Sequence, residues 1–237
     1  MRDLPRSRRG SLGNRAAAVF VFGVVGLLAI PALANSFAAN IAYTLEASVV
    51  SAAGNDDELL QQTELLPVDV SVSAGFISPG VVVATASLDV EEITAPFGGG
   101  ISFNGLSGAN ASLEGLPGTA SGRSAFSIDL VSTTTSPFAL RIDRVLEGAS
   151  SIRLIELLGG GGEQEILNLT TSGVTDITLG ILTGYRLEFE SVSQADAEGI
   201  TTEIGQFTGT ASFVLVPEPA TASLLLAGLG FLARRRR

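Results

Sequence analysis

The chain reads as all-β, an antiparallel, jelly-roll-like β-sandwich, on three observations. Its middle consists of short segments in which apolar and polar residues alternate. Gly, Ser, Asn and Pro bound those segments, and a run of four glycines joins two of them. Alternation at period two places apolar side chains on one face of a strand, and the bounding residues supply turns. The expected strands cover 41–50, 68–75, 81–90, 100–104, 125–131, 138–146, 152–158, 165–171, 174–179, 185–192 and 207–216. Many short strands of this kind suit a sandwich.

Phe126-Ser127-Ile128-Asp129-Leu130 shows the pattern best, with apolar residues on one face and polar ones on the other. In 152–158 and 165–171, two strand-like runs flank Gly159-Gly160-Gly161-Gly162, whose residues can take the positive φ of a hairpin turn. A helix from Ser151 ending at Gly159 is the competing reading, because Ile152, Ile155 and Leu158 also share a helical face. One segment reads as helix or loop. Asn55 is a capping residue, Asp56, Asp57 and Glu58 suit a helix N-terminus, leucines follow, and Pro67 stops the run. It is expected to decorate the sandwich edge.

Both ends differ from the middle. Arg2, Arg6, Arg8, Arg9 and Arg15 precede an apolar run from Ala16 to Ile30 and the small-x-small sequence Ala32-Leu33-Ala34. This predicts a signal peptide over 1–34, cut after Ala34, with the translocon and signal peptidase as partners. A retained signal anchor is the alternative. Arg8-Arg9 also touches the twin-arginine pattern, but Ser11 stands where that pattern prefers a large apolar residue. At the other end, Pro217-Glu218-Pro219 leads into an uncharged stretch from Ala220 to Ala233 and then Arg234, Arg235, Arg236 and Arg237. Basic residues after an apolar span stop a segment in the membrane on the cytoplasmic side. Fourteen residues of helix reach about 21 Å, against a hydrocarbon core of about 30 Å. A single, temporary membrane helix with snorkelling arginines fits that length better than a permanent anchor.

At these residues the chain resembles the bacterial PEP-CTERM sorting class. Pro217, Glu218 and Pro219 match its motif, Thr221 to Ala233 its apolar segment and Arg234 to Arg237 its basic end. The resemblance covers about a tenth of the chain. It implies recognition by an exosortase, a membrane transpeptidase-like enzyme that cuts near the motif, in a Gram-negative, exopolysaccharide-producing host. The product would then reside in the envelope, matrix or biofilm.

Removing 1–34 and 217–237 leaves an exported domain, 35–216, large enough for one sizeable core. Nine of the 14 arginines and two of the 24 carboxylates lie in the removed tails. The five arginines and 22 carboxylates left give the domain a balance of −17, which repels nucleic acid and anionic surfaces.

With no His, Cys or Lys, the chain cannot build a Ser-His-Asp triad, a thiolate nucleophile, a disulfide or a histidine zinc site. The glycine runs lack the Lys-Ser or Lys-Thr of a phosphate loop. Carboxylate pairs remain: Glu188 with Glu190 and Glu163 with Glu165 would share a strand face. With no Trp and only Tyr43 and Tyr185, a sugar-stacking platform is not expected. Asp56, Asp57 and Glu58 are the candidates for a calcium site, although their spacing is not that of an EF-hand. The reading is therefore a non-enzymatic exported protein. A calcium- or polysaccharide-binding module and a carboxylate hydrolase are its rivals.

Overall fold

The computed structural model describes residues 35–76, 81–95, 98–112, 118–132, 138–180, 183–197 and 202–215. The strands are β1 (Asn35–Ser51), β2 (Gly54–Leu65), β3 (Val68–Phe76), β4 (Val81–Ala95), β5 (Gly98–Ser112) and β6 (Gly118–Ser132). They continue as β7 (Phe138–Glu147), β8 (Ala149–Leu158), β9 (Gly162–Leu169), β10 (Gly173–Leu179), β11 (Gly184–Asp196) and β12 (Thr202–Leu215). All pair antiparallel in two six-stranded sheets. Sheet A has the order β2-β1-β6-β11-β8-β9 and sheet B the order β10-β7-β12-β5-β4-β3. The two sheets form a sandwich. The expected signal peptide, the Pro217-Glu218-Pro219 motif and the expected membrane helix lie outside the described residues. Among those described, no helix is long and apolar enough to cross a membrane.

The reading of Asn55–Leu66 as helix or loop is corrected: the chain from Gly54 to Leu65 is strand β2. It pairs with β1 from Ser51↔Gly54 to Asn40↔Leu65. Its polar residues leave no apolar alternation to read because an edge strand needs none, and the ladder it offers β1 outweighs the helical propensity of the leucines. The glycine hairpin is as expected. Gly160 and Gly161 take φ of 102° and 86°, and the Gly161 amide donates to the Leu158 carbonyl at 3.3 Å. The competing helix from Ser151 is replaced by β8.

Inward residues decide how far apart the sheets stand. Near the end where β12 finishes they are large: Ile101, Ile128, Leu130, Leu140, Tyr185, Leu187 and Phe213 are buried. In the middle, Phe103, Phe126, Phe189 and Phe207 form a cluster. Phe126 and Phe189 stack at 4.2 Å, and Phe103 and Phe189 meet at 4.6 Å. Toward the opposite end, Ala84, Ala86, Ser107, Ala109, Ala120, Ser124, Ser191 and Ser193 take over. The core is therefore a wedge. At its thin end the Ser124 hydroxyl crosses between sheets to the Ser87 carbonyl at 2.8 Å.

Two glycines make this geometry. Gly105 lies opposite Phe207, and a Cβ there would stand 2.0 Å from the Phe207 ring, so the ring occupies the space glycine leaves. A Cβ on Gly122 of sheet A would stand 2.5 Å from the Thr85 carbonyl oxygen of sheet B. Gly105→Ala and Gly122→Ala should each destabilise by about 1–3 kcal/mol, lowering Tm by about 2–4 °C per kcal/mol. Combining Gly105→Ala with Phe207→Leu should cost less than the sum of the single changes, because both act on one volume. Thermal melts check this; a Gly122→Ala protein melting with the wild type would contradict the close approach.

Candidate binding face

On the outer face of sheet A, alternation turns Ala42 and Thr44 of β1 and Ala125 and Ser127 of β6 toward solvent. These four are small, and register makes them neighbours: Ala42 faces Ser127 and Thr44 faces Ala125. They form the floor of a trough of about 540 Å³. Gln61 and Thr63 of β2 form one wall, opposite Thr44 and Ala42. Glu188 and Glu190 of β11 form the other, opposite Ser127 and Ala125.

Each carboxylate on that second wall is held by an arginine. Arg153 Nη2 lies 2.7 Å from Glu188 Oε2, and Arg123 Nε lies 2.8 Å from Glu190 Oε1. Arg186 extends the array, bridging Asp129 and Glu163 at 3.0 Å each, and its pKa is raised chiefly by the Asp129 hydrogen bond. Partly exposed pairs of this kind add little stability, about 0–1 kcal/mol each. They do fix the orientation of the side chains that line the trough.

The expected carboxylate pairs thus have structural neighbours. Glu188 and Glu190 share a face as alternation requires, and both are ion-paired. Glu163 is engaged by Arg186, and Glu165 lies exposed on β9.

The calcium candidates are distributed differently from the cluster their adjacency suggested. Because β2 is a strand, Asp57 points to the opposite face from Asp56 and Glu58. Glu58 Oε2 accepts the Ser73 amide and Asp56 Oδ2 the Gly75 amide, each at 2.8 Å, while the Ser48 hydroxyl donates to Asp57 at 2.5 Å. Asp56 and Glu58 therefore cross from sheet A to cap open backbone amides of β3, the edge of sheet B. Among the described residues no group of three or more acidic side chains is placed to hold a metal ion.

Both tyrosines are buried. Tyr185 accepts the Gly180 amide through its hydroxyl at 2.8 Å. Tyr43 lies under β2 with its hydroxyl 3.4 Å from Gln62 Oε1. Its pKa is raised first by burial and then by the charge and hydrogen bonding of Glu64.

Sequence reading missed Arg144, which points inward from β7 and is 6 % exposed. Its Nη1 donates to the Gly173 carbonyl at 3.1 Å and the Thr175 hydroxyl at 2.9 Å, while its Nε has no partner among the described residues. Burial lowers its pKa, against the opposing pull of Asp143. Its position in an alternating apolar run, Leu140-Arg141-Ile142-Asp143-Arg144, was the available signal. The trough was also missed, since its floor depends on which strands pair.

Residues 215–237 match the PEP-CTERM protein-sorting motif. The motif marks an exported protein that is membrane-anchored before processing, with an exosortase as processing partner. No curated protein matches the chain. Among solved structures, TmCBM61 in complex with β-1,4-galactotriose aligns at 11 % identity and a TM-score of 0.29, over 62 % of this chain and 87 % of that one. The enzymatically active domain of bacteriophage CBA120 tailspike protein 4 aligns at 10 % identity and a TM-score of 0.30, over 62 % of this chain and 19 % of that one. Likenesses at these scores carry no argument about ligand or activity.

Two outcomes follow from the edge contacts. Replacing both Asp56 and Glu58 with Ala should speed hydrogen exchange at the Ser73 and Gly75 amides at least several-fold, leaving the central strands protected; unchanged exchange would contradict the capping role. Because the raised Tyr43 pKa makes the folded state hold that proton more tightly, its contribution is complete below the ordinary value of 10.0 and is lost as pH rises through the folded value. Tyr43→Phe should therefore flatten the fall in Tm above about pH 10, as melts across pH 8–11.5 would reveal; equal slopes would contradict it.

Proposed function

We propose that this chain is a non-enzymatic exported protein of the cell envelope or extracellular matrix, delivered as a folded sandwich and processed at Pro217-Glu218-Pro219 by an exosortase. The observation that carries the reading is the match to the sorting motif at 215–237. Strand β12 runs to Leu215, the first residue of that match, so the domain leads into the motif without an intervening linker. In this reading the N-terminal segment is a signal peptide cut after Ala34, and the membrane stage ends when the tail is removed.

The non-enzymatic part is supported by chemistry. His, Cys and Lys are absent, and Glu188, Glu190 and Glu163 each engage an arginine. A second reading, a module that binds matrix polysaccharide, is favoured by one observation: the concave outer face of sheet A is lined by fixed donors and acceptors. Calcium is less favoured, because Asp56 and Glu58 serve the β3 edge and Asp57 faces away from them.

Intact-mass analysis of the protein from its host, alongside a chain lacking 217–219, tests the primary reading. The wild type should lose the mass of both tails and leave the membrane fraction, while the deletion should keep its arginines and remain there. A wild type that retains Arg237 and fractionates like the deletion would overturn it.

A further inference from the structure

We infer that the trough on the outer face of sheet A binds a segment of a neutral, hydroxyl-rich polysaccharide, and that it does so through side chains alone. This rests on the binding reading above and narrows it to one site and one ligand class.

The charge balance selects the ligand. The domain carries 22 carboxylates against five arginines, yet Arg123 and Arg153 neutralise Glu190 and Glu188 in the trough. An anionic polymer approaching this face meets the field of the whole acidic domain and finds both guanidinium groups already paired. A cationic polymer must compete with those arginines for the carboxylates. A neutral polyol breaks neither pair and carries no charge to desolvate.

The hydrogen-bonding inventory matches hydroxyl groups. A guanidinium has five N–H donors and a carboxylate two acceptor oxygens, so each ion pair retains unused capacity on both partners. Across the floor, Gln61 offers an amide with both functions, and Thr44, Thr63 and Ser127 offer hydroxyls. A sugar hydroxyl both donates and accepts, and so does this lining.

The topology disfavours a peptide strand. Peptides add to exposed sheet edges through backbone groups. Here β1 pairs with β2 and β6, and β6 pairs with β1 and β11, so the floor is bonded into the sheet on both sides. Tyr43, Phe126 and Phe189 turn their rings into the core, so the trough has no exposed ring of theirs on which a sugar could stack. Without stacking, a single site should be weak, with a Kd on the order of 1 mM. Many copies along one polymer would raise the effective affinity.

Native affinity electrophoresis of the full chain in mild detergent tests this, with dextran, hydroxyethylcellulose, galactomannan, alginate and chitosan cast separately in the gel. At least one neutral polymer should retard the wild type more than alginate does, while chitosan, which attracts an acidic domain by charge alone, should retard wild type and trough variants alike. Ala42→Leu, which fills the exposed floor without offering a ring for stacking, should weaken that retardation at least about tenfold without lowering Tm, equivalent to about 1.4 kcal/mol. Gln61→Ala with Thr63→Ala, on an exposed edge strand, should weaken it as well. If no polymer retards the chain, the binding reading and the trough both fall. Retardation unaffected by either variant would keep the binding reading and remove the trough. Preferential retardation by alginate, or retardation by chitosan that Gln61→Ala with Thr63→Ala weakens, would overturn the neutral-ligand assignment.

Discussion

The distance between the two sheets is the constraint from which the rest of the molecule follows. Face-to-face sheets pack about 10 Å apart, and the side chains between them must fill that space at crystal-like density. Here the filling is graded along the strands. Bulky aliphatic residues occupy one end, four phenylalanines the middle, and mostly Ala, Ser and Gly, with Val49 and Val82 among them, the other end. Phe207 over Gly105 sets the middle, because one residue supplies volume where its partner supplies none. At the thin end the sheets come close enough for a serine on one to bond the backbone of the other. The hydroxyls of Ser191 and Ser193 are buried there without partners among the described residues, which indicates that small size matters more than polarity at these positions.

The same alternation that fills the core arranges the outer surface. On sheet A, Arg123 and Arg153 meet carboxylates across neighbouring strands and Arg186 also reaches past β8 to Glu163 on β9, so the acidity of the domain is partly offset on this face. The sandwich edge uses its charge differently: β2 sends Asp56 and Glu58 to the open amides of β3. A carboxylate accepting a backbone N–H limits the pairing of that edge with another chain, and it also ties the two sheets together where no third strand covers them. Glu203 does the same for the Gln194 amide, at 2.7 Å, beyond the point where β8 stops pairing with β11.

Strands with an inward face of large apolar residues were legible in sequence. Phe126 to Leu130 and the hairpin around Gly160 are examples, because period-two alternation and turn chemistry are local. Strands whose inward residues are small were only partly legible. β5 extends from Gly98 to Ser112, yet Gly105, Ser107 and Gly108 carry too little hydrophobic contrast to extend the expected strand beyond Asn104. β2 was illegible because an edge strand with polar faces has no alternation to show, and the acids that imitate a helix start are there for an edge on the other sheet. The sorting motif was legible because its order is linear. The trough was not, because Ala42, Gln61, Ala125 and Glu190 become neighbours only through the pairing of four strands.

Strand β12 lies between β7 and β5, and its last residue, Leu215, is where the sorting motif begins. The antiparallel bonds on both its sides run perpendicular to its length. While the tail is held in a membrane, any pull on the domain enters along β12 and loads both ladders in shear, so the bonds must yield together rather than peel one by one. Asn35, at the head of β1, lies at the same end of the sandwich, where β1 pairs with β6 alone and β2 joins only from Asn40. A pull through the tail is thus shared by two ladders rather than borne by one.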